Sequence, residues 1–241
     1  MGMSNSTYLS VITVVLDDEV GIRKTINSLK PHITPQIEHI IVDGKSKDRT
    51  LDIIHSLNTY NAKVVSKKDT GIYDAMNRGV AMAKGEFIIF MNSGDEFYSE
   101  IKISKILSFL SQNKNTIVYG NCFIKKNEVL RLRRYSQKLN FDFGLPFNHQ
   151  SCFTPRELFR ENSFDTDLKI LSDLKLYKKL MKNGVKFNHL DTPIAVYDLN
   201  GISSRYSSRY LRELKIINTN FKGLKWNLFV LKYKVKWILK I

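Results

Sequence analysis

The chain has 241 residues, 43% hydrophobic and 25% charged, which is enough apolar material to bury a core and argues against a disordered segment. Lysine and arginine total 38 against 23 acidic residues, a formal net charge of +15, which implies a polyanionic partner: nucleic acid, anionic lipid or a phosphate-bearing substrate. Two cysteines, Cys122 and Cys152, lack metal-type spacing and point to a reducing compartment, not a disulfide framework.

No apolar run is long enough to cross a membrane, and MGMSNSTYLS has no apolar signal core, so the expectation is a cytoplasmic protein. Leu9–Leu16 (LSVITVVL) reads as a buried, β-branched strand ending in Asp17, Asp18 and Glu19. Ile22, Ile26 and Leu29 follow helical spacing up to Pro31. Ile37–Val42 is a second buried strand ending at Asp43-Gly44. Ser46 or Asp48 is placed to cap a helix with Leu51, Ile54 and Leu57 on its core face, and Ala62–Val65 is a short third strand. This rhythm predicts a parallel, right-handed βαβ sheet. A dinucleotide G-x-G-x-x-G and a P-loop signature are both missing.

Ser66–Phe97 reads as loop, helix, turn, buried strand and acidic turn. Asp69 or Thr70 is the expected N-cap, Ile72, Ala75, Met76, Gly79, Val80 and Ala83 form one face, and Gly85 ends the helix. Phe87–Met91 is an unbroken apolar run, then polarity switches at Asn92-Ser93-Gly94-Asp95. Taken singly, that turn fits an exposed Asx-turn, and a strand-end Asp fits a helix cap. Asp17, Asp43 and Asp95 on one sheet edge fit ligand binding at the carboxyl ends of the strands.

Beyond Asp95, Ile103, Ile106, Leu107 and Leu110 suggest a helix, and 117–119, 122–126 and 129–133 suggest short antiparallel strands. Arg131, Arg133 and Arg134 form either a solvated edge or a contact for substrate phosphates. Phe141–Phe147 reads as a loop or hydrophobic lip. His149, in Asn148–Phe153, taken alone is a satisfied polar residue. Leu174, Tyr177, Leu180 and Met181 mark a helix with a C-cap at Gly184, and Asp173 in its first turn fits a cap or macrodipole partner. Val185–His189 and Ile194–Tyr197 read as strands. Phe221–Ile241 places Lys222, Lys225, Lys232, Lys236 and Lys240 on one helical face of an aromatic segment. That segment is either a packed terminal helix or an interfacial helix on an anionic leaflet, and its two Trp and many Lys favour the interface.

GIYDAMNRGVAMAKGEFIIFMNSGDEF closely resembles the central segment of family 2 glycosyltransferases of the bacterial O-antigen, capsule and colanic-acid type. IIVDGKSKDRT resembles the family's second-strand motif, and Asn200-Gly201-Ile202-Ser203-Ser204 its closing loop. The resemblance covers about Leu9–Ser204 and implies an α/β GT-A fold: a Rossmann-like, mixed, mainly parallel sheet with helices on both faces. The implied division is a domain over 1–204, with a nucleotide-sugar half (1–98) and an acceptor half (99–204), followed by a basic tail over 205–241.

By that resemblance, Asp95 is the surviving carboxylate of a DxD-type motif, holding Mn²⁺ or Mg²⁺ and the donor diphosphate, with Asn92 in place of the first Asp. Asp43 reads the uracil edge, and the backbone at Thr13 and Val15 meets the uridine. Leu16-Asp17 replaces the usual aromatic-Asn pair. Lys67, Gly71, Asp74, Asn77, Ser93, His149, Gln150 and Ser203 complete the implied substrate contacts. Asp173 matches the general base, ahead of Asp165 and Asp167. The implied activity is metal-dependent, inverting transfer of a hexose from a UDP-sugar to a lipid-linked (undecaprenyl-diphosphate) saccharide at the inner leaflet. The alternatives are a sugar-1-phosphate nucleotidyltransferase, disfavoured by acidic Leu16–Glu19, and a basic nucleic-acid-binding module, disfavoured because cations and aromatics gather in the tail.

Overall fold

The computed structural model describes residues 7–126, 129–198, 208–219, 223 and 226–231. The first half alternates strand and helix: β1 (Leu9–Val15), α1 (Glu19–Leu29), β2 (Ile37–Asp43), α2 (Thr50–Leu57), β3 (Lys63–Ser66), α3 (Ile72–Met82) and β4 (Phe87–Phe90). Its four strands are parallel, in the order β3-β2-β1-β4, with Leu9 opposite both Ile37 and Phe87. All four therefore end on one edge, which carries Asp17, Asp43 and the Asn92–Asp95 turn.

The second half contributes β5 (Glu96–Phe97), α4 (Ile103–Ser111), β6 (Ile117–Lys126), β7 (Val129–Arg133), β8 (Cys152–Pro155), α5 (Ser172–Lys182), β9 (Phe187–Asp198) and α6 (Ser208–Ile217). β8 joins β4 antiparallel, β6 follows β8 antiparallel, and β9 runs parallel to β6. The result is one mixed sheet of nine strands among the described residues. Side chains alternate along β1: Ile12 and Val14 enter the core under α3 and α5, while Leu9 and Val11 enter a core with α4. Val15 meets α1 and α2. α3 lies close on β1 because Gly79 leaves room, since a Cβ there would stand 2.4 Å from Ile12 Cγ2.

Several local expectations are corrected. The N-cap of α3 is Gly71, because the Asp69 carboxylate instead accepts the Gly71 N–H at 3.0 Å and so closes an Asx-turn ahead of the helix. Arg49 occupies the cap of α2, where Asp48 accepts the Thr50 N–H. The buried stripe of α3 runs through Tyr73, Met76 and Gly79, which leaves Ile72 exposed. Met181 is likewise exposed on α5. The fragments expected at 117–119 and 122–126 are one strand, as are those at 185–189 and 194–197, because β6 and β9 pair along their length across register shifts around Asn121. Phe147 is not at a lip but in the core, stacked on Tyr119 at 4.9 Å. Gly184 follows α5 at φ +80°, as a C-cap glycine should.

Both cysteines are buried and unpaired, and burial pushes the Cys152 thiol up to about 12. β7, carrying Arg131 and Arg133, is exposed along its length. α6 docks through Leu214 and through Asn218, whose amide donates to the Asp142 carbonyl at 3.0 Å. Trp226 and Phe229 of the helical turn at 226–231 pack against the main core, with Phe229 4.7 Å from Phe143, while Leu228 and Leu231 face outward. Lys222, Lys225, Lys232, Lys236, Lys240 and the rest of the tail lie outside the described residues, as does the Asn200–Ser204 loop. Among the described residues no helix is long and apolar enough to cross a membrane.

Candidate active site

The acidic turn is fixed from below. Thr25 of α1 donates its hydroxyl to the Asp95 carbonyl at 2.7 Å and accepts the Gly94 N–H at 3.0 Å. Gly94 sits at φ +91°, a backbone that side chains rarely adopt. Ser93 donates to Asp18 at 2.7 Å, and the other Asp18 oxygen caps α1 through Gly21 N–H at 2.9 Å. The turn thus presents Asn92 and Asp95, both buried, to the strand edge.

Next to it stands the short 3₁₀ turn His149–Ser151, just before β8. The β4–β8 register pairs Phe87 with Pro155 and Ile88 with Thr154, and carrying it on sets Asn92 opposite Gln150. Gln150 donates to Asp95 Oδ2 at 3.0 Å, and His149 Nε2 lies 3.3 Å from the Asn92 amide nitrogen. His149 Nδ1 lies 3.1 Å from Asp173 Oδ2, at the start of α5. Asp173 Oδ1 also accepts the Leu174 N–H at 2.7 Å and the Tyr73 hydroxyl at 3.3 Å. A continuous polar chain therefore runs from the acidic turn through His149 to Asp173.

Burial pulls the His149 imidazole down, but the hydrogen bond and charge of Asp173, with Asp95 adding to them, lift it above its ordinary value overall. Burial, with the Asp173 charge beside it, pushes the Tyr73 phenol well above its ordinary value, so its hydroxyl stays a donor. The Asn92 side-chain amide oxygen, Oδ1, is buried with no hydrogen-bond partner. Among the described residues no three His, Cys, Asp or Glu side chains converge as a metal cage. The oxygen set of Asp95 with the orphaned Asn92 Oδ1 nevertheless suits a hard divalent ion, which typically binds through one or two carboxylates and completes its shell with substrate phosphates and water.

The remaining expected residues lie elsewhere. Asp43 is fully buried, and its carboxylate accepts from Lys45 N–H (3.1 Å), Ser46 N–H (3.2 Å), the Ser66 hydroxyl (2.5 Å) and the Ser46 hydroxyl. Thr13 donates to the Met91 carbonyl at 2.7 Å inside the sheet. The Val15 side chain lies in the core with α1 and α2, and its carbonyl accepts from Gly44 N–H at 2.9 Å. Asp74 pairs with Arg78 at 2.9 Å on the same helix. Asn77 exchanges two 2.9 Å bonds with the Phe164 backbone. Lys67 is exposed, with its backbone N–H on the Asp43 carbonyl at 2.9 Å, Gly71 caps α3, and Ser203 lies outside the described residues. Asp165 pairs with Lys175 on the surface, away from His149.

Sequence reasoning passed over Tyr73 and Asp18. For Asp18 the signal was available, since an Asp three residues before Gly21 in the first helical turn is a capping pattern. For Tyr73 none was, because its role depends on the return of α5.

Residues 10–169 match the family model for glycosyl transferase family 2. The chain belongs to that family. Among curated relatives, a PGL/p-HBAD biosynthesis glycosyltransferase of Mycobacterium bovis is 28% identical over 157 residues, 62% of this chain and 60% of that protein. An uncharacterized glycosyltransferase of Mycobacterium tuberculosis is 33% identical over 110 residues, 45% of this chain and 42% of that one. The match thus spans about three-fifths or less of these relatives' lengths. Among solved structures, S. aureus TarS 1–349 in complex with UDP-GlcNAc superposes with a TM-score of 0.71 at 20% identity, over 94% of this chain and 71% of that one. The mannosyltransferase PcManGT of Pyrobaculum calidifontis, in complex with GDP-Man and Mn²⁺, gives a TM-score of 0.66 at 15% identity, over 96% of this chain and 70% of that one. These likenesses establish a mixed α/β, GT-A-like fold.

Proposed function

We propose that the chain is an inverting glycosyltransferase that moves a hexose from a UDP-sugar to a lipid-linked saccharide during bacterial surface polysaccharide synthesis of the O-antigen or capsule type. The observation that carries this reading is the polar chain Asn92–His149–Asp173, with the adjacent Gln150 bonded to Asp95, which joins the acidic turn to a carboxylate suited to act as a base. Two structural neighbours bound to nucleotide sugars support the donor class. The net charge of +15 suits a diphosphate donor and an anionic lipid acceptor.

Asp95 and the Asn92 side-chain Oδ1 would hold Mn²⁺ or Mg²⁺, which when bound supplies Lewis-acid neutralisation of the departing diphosphate. Asp173 takes the proton of the acceptor hydroxyl as that oxygen attacks the anomeric carbon and the bond to the diphosphate oxygen breaks. Attack opposite the leaving group inverts the anomeric centre. His149 orients the Asp173 carboxylate through Nδ1 and ties it to the Asn92 amide, so that the base and the leaving-group site keep one spacing. Tyr73 and Leu174 N–H fix the second carboxylate oxygen. The outward-facing Leu228 and Leu231, next to the lysine-rich end of the chain, are suited to contact with an anionic inner leaflet.

The test is a panel of UDP-sugars and GDP-mannose, read by nucleoside diphosphate release with a short prenyl-diphosphate monosaccharide as acceptor, with and without Mn²⁺. Acceptor-dependent release from at least one UDP-sugar supports the proposal. Release from GDP-mannose alone overturns the donor assignment, and release indifferent to the acceptor overturns the acceptor class.

A further inference from the structure

Glu213 lies on α6, beyond the region matched by the family model, and is only 4% exposed. Its carboxylate does not face solvent. It accepts the backbone N–H of Lys169 on Oε1 and those of Ile170 and Leu171 on Oε2, each at 2.9 Å. These three residues lead directly into α5, whose N-cap, Leu171, has no side-chain cap of its own. The carboxylate thus gathers the three backbone N–H groups that lead into the first helical turn, at the helix end where the dipole also favours an anion. Tyr73 holds the same loop from the other side, donating to the Ile170 carbonyl at 2.7 Å. Asp173 is two residues past Leu171, so its position follows the loop that Glu213 grips.

We propose that Glu213 is a positioning residue for Asp173: by clamping the Lys169–Leu171 backbone it sets where the base stands, and so makes α6 part of the catalytic apparatus. The inference rests on the reading of Asp173 as general base. A displacement on the order of 1 Å at a reacting group costs up to roughly 100-fold in rate. Glu213→Gln keeps the volume but replaces one accepting oxygen by an NH₂ group, which opposes a backbone N–H. Turnover should therefore fall about 10- to 100-fold, while donor KM and UDP affinity stay within about twofold, because Asp95 and Asp43 stand on other elements.

The experiment is a double-mutant cycle in the full chain: wild type, Glu213→Gln, Asp173→Asn and the double variant, each measured for turnover, donor KM and UDP affinity by calorimetry. The proposal expects Glu213→Gln to slow turnover in the wild-type background and to have no further effect once Asp173→Asn is present. Asp173→Asn inactive with Glu213→Gln near wild type, or an equal fall in both backgrounds, overturns the positioning role and leaves the base assignment standing. Asp173→Asn with normal turnover overturns both. If Glu213→Gln lacks a cooperative melt, Glu213→Asp, which keeps the charge and shortens the reach, passes through the same cycle with the same criteria.

Discussion

Asp43 offers the sharpest separation of a binding role from a structural one. Its buried carboxylate is the acceptor for four donors: two backbone N–H groups, from Lys45 and Ser46, and two hydroxyls, from Ser46 and Ser66. Asp43→Ala strips all four. At a net value of about 1 kcal/mol each, discounted because the half-buried serines can turn to water, the loss is about 3–4 kcal/mol. Domains of this size hold about 5–15 kcal/mol in total. The melting temperature should drop by roughly 6–16 °C, at about 2–4 °C per kcal/mol. Asp43→Asn is milder: one oxygen still accepts from the backbone, and a serine hydroxyl can reverse to accept from the new NH₂, so the cost is about 1 kcal/mol. If the side chain also accepts from the uracil edge, UDP binding in Asp43→Asn should weaken by about 1.5–3 kcal/mol, roughly 10- to 150-fold. Thermal melts and UDP calorimetry on both variants decide. An Asp43→Ala melt within 2 °C of wild type would refute the structural ledger, and unchanged UDP affinity in Asp43→Asn would remove the base contact.

Three further outcomes are expected. His39, buried between Thr13 and Tyr60 at 2.8 Å from each, is lowered by burial to about 3. Its folded value lies below the unfolded 6.5, so the neutral ring's stabilisation is complete above pH 6.5 and is lost as pH falls towards 3. The loss reaches about 2 kcal/mol at pH 5. Urea unfolding at pH 7.5 and pH 5 should show this slope in wild type and a flatter one in His39→Gln; parallel slopes would contradict it. Asp95→Ala should cut turnover by on the order of 10²-fold or more and abolish its response to Mn²⁺, and full wild-type activity in EDTA would speak against a metal at Asp95. Removing residues from Phe221 onward should release the protein from anionic vesicles, at about 1 kcal/mol per lysine near the surface, and should lower the melting temperature through loss of Trp226 and Phe229; full-length protein that ignores such vesicles would rule out the membrane role.

Much of the parallel half was legible because its signals are local. Unbroken β-branched runs gave β1 and β2 to within a residue, and the polarity switch after Met91 marked the acidic turn. The second half was harder, because β6 and β9 are continuous only by virtue of each other, and irregular segments such as Asn121 look like breaks in sequence. Residue types at the strand edge were readable, but their allegiances were not. Asp74 and Asn77, which the resemblance implies as substrate contacts, also bond Arg78 and the Phe164 backbone, internal partners that come within reach only when α3 is wound and the chain returns. Glu213 was invisible for the same reason: its three partners are more than 40 positions away in sequence.

Strand direction explains why the site forms where it does. The parallel strands deliver their carboxyl ends, and with them Asn92 and Asp95, to one edge of the sheet. A further parallel neighbour of β4 would deliver its own carboxyl end there, and its approach segment to the far side. β8 runs antiparallel, so the segment that leads into it, His149–Ser151, arrives at the same edge as the acidic turn. Adjacent residues of that turn then point to two partners, Gln150 to Asp95 and His149 to Asp173. One short turn thus sets the spacing between the Asp95 and Asp173 carboxylates, the proposed diphosphate-side group and the proposed base. A one-residue insertion between Gln150 and Cys152 would leave the sheet paired but rotate this turn, and would uncouple the two carboxylates without removing either.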